Sequence, residues 1–159
     1  METMTVRARV YRCDPSTGDP ARYDVFDVSG PVGMRILDAI RSIYDQQDEN
    51  LAFQYACRIG RCGTCAVRVN GRPVLACQER AKSEMTIEPL AAFPVIRDLV
   101  VDMSQFFKQY NSIKPYVINN DPPPEKERLQ SPEDREELNG LYECILCACC
   151  STSCPSYWW

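Results

Sequence analysis

The feature that constrains this chain most is its cysteine content, because ten cysteines and no histidine occur among 159 residues. Eight of the ten form two short groups, one within residues 57–77 and the other within residues 144–154. A secreted disulfide framework usually spreads its cysteines along the chain, whereas dense groups are typical of metal ligation. The lack of histidine excludes histidine-containing zinc, haem and Rieske-type sites within this chain. The sequence therefore predicts thiolate metal sites in a reducing compartment.

Composition narrows the class of protein further. Hydrophobic residues make up 45% and charged residues 25% of the chain, as in soluble globular proteins. The net charge is −4 with both signs mixed along the chain, so no basic stripe indicates a nucleic-acid partner or a polybasic membrane patch. The N-terminal residues lack the apolar stretch of a signal peptide, and no apolar run approaches the roughly 20 residues of a membrane span.

Hydrophobic periodicity predicts a small α+β domain at the N-terminus. Residues 5–12 and 22–28 alternate apolar and polar side chains and are separated by turn residues, which predicts a β-hairpin. In residues 34–47 the period changes to three or four, which predicts an amphipathic helix packed on the sheet.

The first cysteine group lies in the second half of this domain. Residues 51–65 have no clean period and contain three cysteines and two glycines, so we predict a loop. Residues 66–69 and 73–77 flank Asn70–Gly71, a strong type I′ hairpin signal, and residues 85–89 predict a last strand.

The C-terminal part of the chain is predicted to be helical and extended. Residues 95–109 show a second helical period, with an apolar face formed by Ile96, Leu99, Val100, Met103, Phe106 and Phe107. Ser131 followed by Pro132 and two acids predicts a capped helix that runs to about Leu141. The predicted domains are residues 1–100, a helix and extended connector over 101–130, and the start of a second domain over 131–159.

The first cysteine group contains the C-x4-C-x2-C spacing of plant-type [2Fe–2S] ferredoxins, and its members are Cys57, Cys62, Cys65 and Cys77. Three ligands within nine residues require a loop that wraps closely around a cluster. Gly60 and Gly63 permit the backbone conformations that such a loop needs. A structural zinc site is the alternative, but zinc sites usually show paired C-x2-C knuckles.

The second cysteine group matches the C-x2-C-x2-C-x3-C-P run of bacterial ferredoxins, and its members are Cys144, Cys147, Cys150 and Cys154. In two-cluster ferredoxins the fourth cysteine of this run ligates the other cluster. The run therefore predicts three ligands of a [4Fe–4S] cluster and one ligand of a further cluster. Only Cys13 and Cys149 remain, and we predict that both are small packing residues. The missing ligands must come from residues after Trp159 or from a separate chain.

A [2Fe–2S]-type group followed by a bacterial-ferredoxin run closely resembles the iron–sulfur subunit of succinate dehydrogenase and fumarate reductase, respiratory complex II. The matching segments are residues 57–65 (CRIGRCGTC), 70–77 (NGRPVLAC), 93–110 (FPVIRDLVVDMSQFFKQY) and 143–159 (ECILCACCSTSCPSYWW). The resemblance implies an N-terminal β-grasp ferredoxin domain followed by an incomplete helical domain of bacterial-ferredoxin type.

The resemblance also implies a function. Electrons would pass between FAD in a flavoprotein subunit and a quinone, through [2Fe–2S], [4Fe–4S] and [3Fe–4S] clusters. The first cysteine group would hold the [2Fe–2S] cluster, Cys144, Cys147 and Cys150 the [4Fe–4S] cluster, and Cys154 the [3Fe–4S] cluster. The chain would be the iron–sulfur part of an oxidoreductase, with no complete active site of its own.

Quinone contacts, partners and location follow from the same resemblance. The residues that match quinone-lining positions are Pro155, Ser156 and Trp159, with Trp158 beside them. Membrane-anchor subunits would hold the chain at the inner face of a bacterial cytoplasmic membrane or the matrix side of the mitochondrial inner membrane. The alternatives are an iron–sulfur module of another flavoenzyme, or of a heterodisulfide-type reductase, and a zinc-stabilised interaction module.

Overall fold

A computed structural model of the protein describes residues 2–157. The strands are β1 Thr3–Arg12, β2 Arg22–Pro31, β3 Ala66–Val69, β4 Arg72–Leu75, β5 Glu84–Glu88, β6 Val95–Arg97 and β7 Val100–Val101. The helices are α1 Ile36–Gln46, α2 Ser104–Ser112, α3 Pro132–Glu136 and α4 Cys149–Ser153. No described helix has the length and apolar character needed to cross a membrane.

A five-stranded mixed sheet forms the centre of the N-terminal domain, with strand order β2-β1-β5-β3-β4. The β1–β2 pair is the predicted hairpin, antiparallel from Thr3–Pro31 to Arg12–Arg22, while β5 lies parallel to β1. Strict alternation along β1 places Val6, Ala8 and Val10 in the core without solvent exposure. The α+β fold expected from the sequence is confirmed.

Helix α1 supplies the other half of this core. It begins two residues later than predicted, and its buried residues are Ile36, Leu37, Ala39, Ile40 and Ile43. The Asp38 carboxylate accepts a hydrogen bond from the Arg35 backbone N–H at 3.1 Å and places an acid in the first turn, where the helix dipole favours negative charge. The predicted second hairpin also forms, with Asn70 and Gly71 at φ +49° and +80°, as a type I′ turn requires.

The prediction of one helix over residues 95–109 is wrong in its first half. Strands β6 and β7 form a small antiparallel hairpin there, and α2 begins only at Ser104. Asp98 adopts φ +46° at the turn, which ends any helix. Its backbone N–H donates to Cys13 O at 2.7 Å, and that of Leu99 donates to Ala52 O at 3.1 Å. The hairpin therefore satisfies backbone groups of two distant segments, which outweighs the helical period.

Contacts divide the chain into two compact units. Among the described residues, the first contains residues 2–103 together with 146–157, and the second contains Ser104–Ile145. In the second unit Ser131 caps α3 as predicted, since its hydroxyl accepts from the Asp134 N–H at 3.0 Å. Helix α3 ends at Glu136 rather than near Leu141.

Tyr23 gives a pH-dependent prediction for the sheet. Its hydroxyl donates to Glu88 Oε1 at 2.6 Å, joining β2 to β5 across β1. This bond to Glu88 raises the pKa of Tyr23 above 10.0. A phenol whose pKa is raised by folding stabilises the fold fully below its unfolded pKa. That stabilisation is lost as pH rises through the higher folded value.

We therefore expect Tyr23→Phe to lower the free energy of unfolding by about 1 kcal/mol at pH 8. The difference from wild type should shrink as the pH passes 10.0, measured by urea denaturation followed by circular dichroism. Tyr116→Phe, at a tyrosine that is 64% exposed, is the control and should change nothing. A Tyr23→Phe difference that stays constant to pH 11.5 would contradict this reading.

Candidate metal centre

The loop between α1 and β3, here called the first cysteine loop, carries Cys57, Cys62 and Cys65, whereas Cys77 follows β4. Both ends of this loop are held by the core. At the start, Leu51 is buried and the Ala52 N–H donates to Asp98 Oδ2 at 2.9 Å. At the end, Cys65 immediately precedes β3, and its carbonyl accepts from the Ala76 N–H at 3.1 Å. The loop is therefore a surface segment with fixed ends, as a preorganised ligand site requires.

The middle of the loop curls around the Cys57 sulfur. Arg58, Gly60 and Gly63 all have positive φ, at +58°, +76° and +72°. This curvature turns three backbone N–H groups toward Cys57 Sγ, and they belong to Ile59 at 3.5 Å, Arg61 at 3.2 Å and Cys62 at 3.4 Å. N–H groups aimed at one sulfur stabilise negative charge on it, so the loop is built to hold a thiolate at position 57.

The other three thiols have contrasting environments. Hydrogen bonds from the Thr64 hydroxyl, from Cys57 and from the Thr64 backbone lower the pKa of the exposed Cys62 thiol to about 6. Burial raises the pKa of the Cys65 thiol to about 11, with the Cys77 thiol beside it. Cys65 and Cys77 are only 4% and 5% exposed. The site therefore has one pair of thiols facing solvent and one pair against the core.

The arrangement of the four thiols in two pairs indicates which metal group the site can hold. Among the described residues, no group of three or more cysteine or acidic side chains is arranged to hold a metal ion. Instead, Cys62 contacts Cys57, and Cys65 contacts Cys77. A [2Fe–2S] cluster takes four thiolates, and two pairs of sulfurs offer one pair to each iron. These residues and the N–H groups on Cys57 Sγ fit that group.

Three of the four cysteines of the second group lie around α4, in the first unit. Cys147 precedes this helix, Cys150 is on it, and Cys154 is its C-terminal cap, whereas Cys144 belongs to the second unit. Leu146 and Ala148 have φ of +55° and +60°, so the backbone turns sharply between successive cysteines. Such turns are what a run of closely spaced ligands needs.

The predicted quinone contacts and the two cysteines outside the ligand groups lie apart from the first cysteine loop in sequence. Pro155 and Ser156 are exposed turn residues after α4, and Trp158 and Trp159 lie outside the described residues. Cys13 is half-buried and held through its backbone, since its N–H donates to Asp98 Oδ1 at 3.0 Å. Cys149 is half-buried as well, and burial raises the pKa of its thiol to about 12.

Sequence reasoning missed three residues that shape the first site. Thr64 bonds Cys62, Asp98 anchors the start of the loop, and Gln78 donates from Nε2 to Cys77 Sγ at 3.4 Å. Proximity in sequence to Cys62 and Cys77 could have suggested Thr64 and Gln78. No local signal indicates Asp98, since its partners are 46 and 85 residues away.

Comparison with known proteins identifies the family of the N-terminal domain. Residues 7–108 match the model of the 2Fe-2S iron-sulfur cluster binding domain family. The chain belongs to this family. The match begins at Arg7 within β1 and spans the rest of the mixed sheet, α1 and all four cysteines of the first group. The expectation of a [2Fe–2S]-binding ferredoxin domain is therefore confirmed.

Curated relatives and a solved structure extend the likeness beyond the family's domain. The succinate dehydrogenase iron-sulfur subunits of Paracoccus denitrificans and Coxiella burnetii are 45% and 44% identical over 96% and 94% of this chain. A chain of the Mycobacterium smegmatis Sdh1 complex in the apo form superposes with a TM-score of 0.84 and 31% identity, over 96% of this chain. The present chain spans 61% and 66% of those relatives and 64% of that structure.

Gly60, in the loop between α1 and β3, allows a prediction with a matched control. A Cβ added at Gly60 would lie 3.0 Å from Gln78 Cδ, at φ +76°, whereas one added at Gly33 would meet nothing within 4 Å at φ +86°. Both substitutions to alanine cost roughly 1–2 kcal/mol for the left-handed backbone alone. We expect Gly60→Ala to cost more than Gly33→Ala in urea denaturation, because only Gly60 also crowds a side chain. Equal losses would show that Gln78 moves away freely.

Proposed function

We propose that this chain is the electron-transfer subunit of a succinate:quinone oxidoreductase, a succinate dehydrogenase or fumarate reductase. The observation that carries the proposal is the arrangement of the first cysteine group. The loop between α1 and β3 and Cys77 after β4 bring together two pairs of thiols, and three N–H groups point at Cys57 Sγ, which suits [2Fe–2S]. Relatives at 44–45% identity named as succinate dehydrogenase iron-sulfur subunits support the choice of complex.

In the proposed site the residues of this chain have separate tasks. Cys57 and Cys62 would bind one iron and Cys65 and Cys77 the other, following the two thiol pairs. The bound group supplies one-electron transfer. The N–H donors on Cys57 would stabilise the negative charge that reduction adds, and the buried Cys65–Cys77 side would keep water from half of the site.

The second cysteine group completes the proposed electron path. Cys144, Cys147 and Cys150 would hold a [4Fe–4S] cluster and Cys154 a [3Fe–4S] cluster, with ligands from outside this segment completing both. Their spacing in the sequence supports this assignment. Pro155, Ser156, Trp158 and Trp159 are proposed quinone contacts, since tryptophan suits the boundary between apolar and wet surroundings.

The proposed partners follow from the same electron path. A flavoprotein subunit with FAD would exchange electrons with the [2Fe–2S] end, and membrane-anchor subunits would present the quinone at the other end. The chain would then lie peripherally on the inner face of the bacterial membrane or the matrix side of the mitochondrial inner membrane. The proposed domains are residues 1–100, a helix and extended connector over 101–130, and the start of a second domain over 131–159.

The test has two stages. The chain reconstituted anaerobically with iron and sulfide should develop the electron paramagnetic resonance signal of reduced [2Fe–2S] upon dithionite addition. Co-expressed with its flavoprotein subunit, it should develop the same signal with succinate and not with NADH. Stoichiometric zinc without a signal would overturn the iron–sulfur assignment, whereas a signal that succinate cannot produce would overturn the choice of complex alone.

A further inference from the structure

Gln78 lies beside the proposed [2Fe–2S] site, and the electron path proposed above gives its side chain no task. It directly follows Cys77, and its Nε2 lies 3.4 Å from Cys77 Sγ and 3.2 Å from Cys77 O. An amide NH₂ carries two N–H donors, so it can satisfy the carbonyl and the sulfur together. Gln78 is therefore a side-chain donor directed at a proposed ligand sulfur.

The backbone of Gln78 is held on both sides of its Cα. Its N–H donates to Leu75 O at 2.9 Å, and its carbonyl accepts from Arg35 Nη1. Gly60 leaves just enough room for the Gln78 side chain, because a Cβ there would lie 3.0 Å from Gln78 Cγ and Cδ. The glutamine is thus confined between the cysteine loop and the segment that follows β4.

The sulfurs of Cys57 and Cys77 receive different kinds of hydrogen-bond donor. Cys57 Sγ receives three backbone N–H groups, which side-chain substitution leaves in place. Cys77 Sγ, 5% exposed as a residue, receives its described side-chain N–H from Gln78. Because a hydrogen bond is stronger in the low-dielectric interior than in water, one donor has a larger effect at this buried sulfur than at an exposed one.

We propose that Gln78 is a positioning residue that raises the reduction potential of the [2Fe–2S] site through its N–H bond to Cys77 Sγ. Reduction adds one negative charge to the cluster and its thiolates, and a hydrogen bond to a ligand sulfur favours the more negative form. Loss of the bond shifts the equilibrium toward the oxidised form. The inference rests on the proposed ligation of [2Fe–2S] by Cys77.

The experiment measures the midpoint potential of the [2Fe–2S] signal in the reconstituted full chain, by redox titration monitored with electron paramagnetic resonance. Gln78→Leu removes the donor at similar volume, and a roughly tenfold change in the oxidised-to-reduced ratio is expected, about 59 mV lower for one electron. Gln78→Glu keeps the length, removes the donor and adds negative charge, so its potential should fall further.

Gln54→Leu is the matched control. Gln54 is an exposed glutamine on the same loop, three residues before Cys57, and within the described residues its side chain donates to no cysteine sulfur. Its substitution should leave the potential unchanged. Equal potentials in wild type and both Gln78 variants would overturn the inference, as would equal shifts in Gln54→Leu and Gln78→Leu.

Two other outcomes are also decisive. Failure of both Gln78 variants to take up a cluster that wild type binds would overturn the tuning role, since Gln78 would then be needed for assembly. Failure of the wild-type chain to form [2Fe–2S] would instead overturn the proposed function on which the inference rests.

Discussion

Replacing Cys65 with alanine is expected to abolish [2Fe–2S] binding. Cys65 contributes one of the two buried thiols, and its neighbour Cys77 cannot hold an iron alone. Loss of an outer-shell partner already costs roughly 10–100-fold in metal affinity, so loss of a ligand should cost more. Iron and sulfide content and the visible absorbance after reconstitution should fall to background.

A second variant and a control separate ligation from folding. Cys62→Ala removes an exposed ligand, so the fold should persist while the cluster is lost to the same extent. Cys13→Ala removes a half-buried cysteine outside both groups and should retain the cluster. Circular dichroism checks the fold of each variant. Retention of full iron content by Cys62→Ala would refute the assignment of the four ligands.

Asp98→Ala is expected to cause the largest loss of stability, about 3–5 kcal/mol. Asp98 is 3% exposed and accepts from Arg12 Nε at 3.1 Å, in addition to the N–H groups of Cys13 and Ala52. Removal leaves two backbone donors without this acceptor and weakens the pairing of a buried guanidinium. The free energy of unfolding, measured by urea denaturation, should fall accordingly.

Asp24→Ala is the control within the same ion-pair cluster. Asp24 contacts Arg12 Nη1 at 3.3 Å, but its side chain is 31% exposed and Arg12 keeps Asp48 and Asp98. Exposed ion pairs contribute about 0–1 kcal/mol, so the loss should stay within that range. Losses of equal size in the two variants would show that burial of Asp98 is not what makes it important.

Local patterns predicted most of the N-terminal domain. Alternation along β1, the helical period of α1 and the Asn70–Gly71 turn each depend on neighbours within a few residues, and each element formed nearly where expected. The hairpin β6–β7 did not follow from its local pattern. Its turn residue Asp98 is stabilised by Arg12, Cys13 and Ala52, which are distant in sequence.

For the candidate site, too, some features were predictable from local sequence and others were not. Spacing alone predicted Cys57, Cys62, Cys65 and Cys77 as a ligand set, because a cluster needs four sulfurs within reach of one loop and one hairpin. Spacing did not show that Cys57 receives three N–H donors, since that depends on positive φ at Arg58 and Gly60.

The sequence by itself predicted the number and kind of metal ligands and gave the resemblance to complex II, and it predicted the succession of β1 to β5 with α1 along the chain. These depend on residue type and on short-range spacing. Only the tertiary structure decided which thiols are buried, how they pair, and which residues anchor the loop. Burial and hydrogen bonding depend on residues such as Asp98 that reach the site through folding, and no pattern in the cysteine groups indicates Asp98.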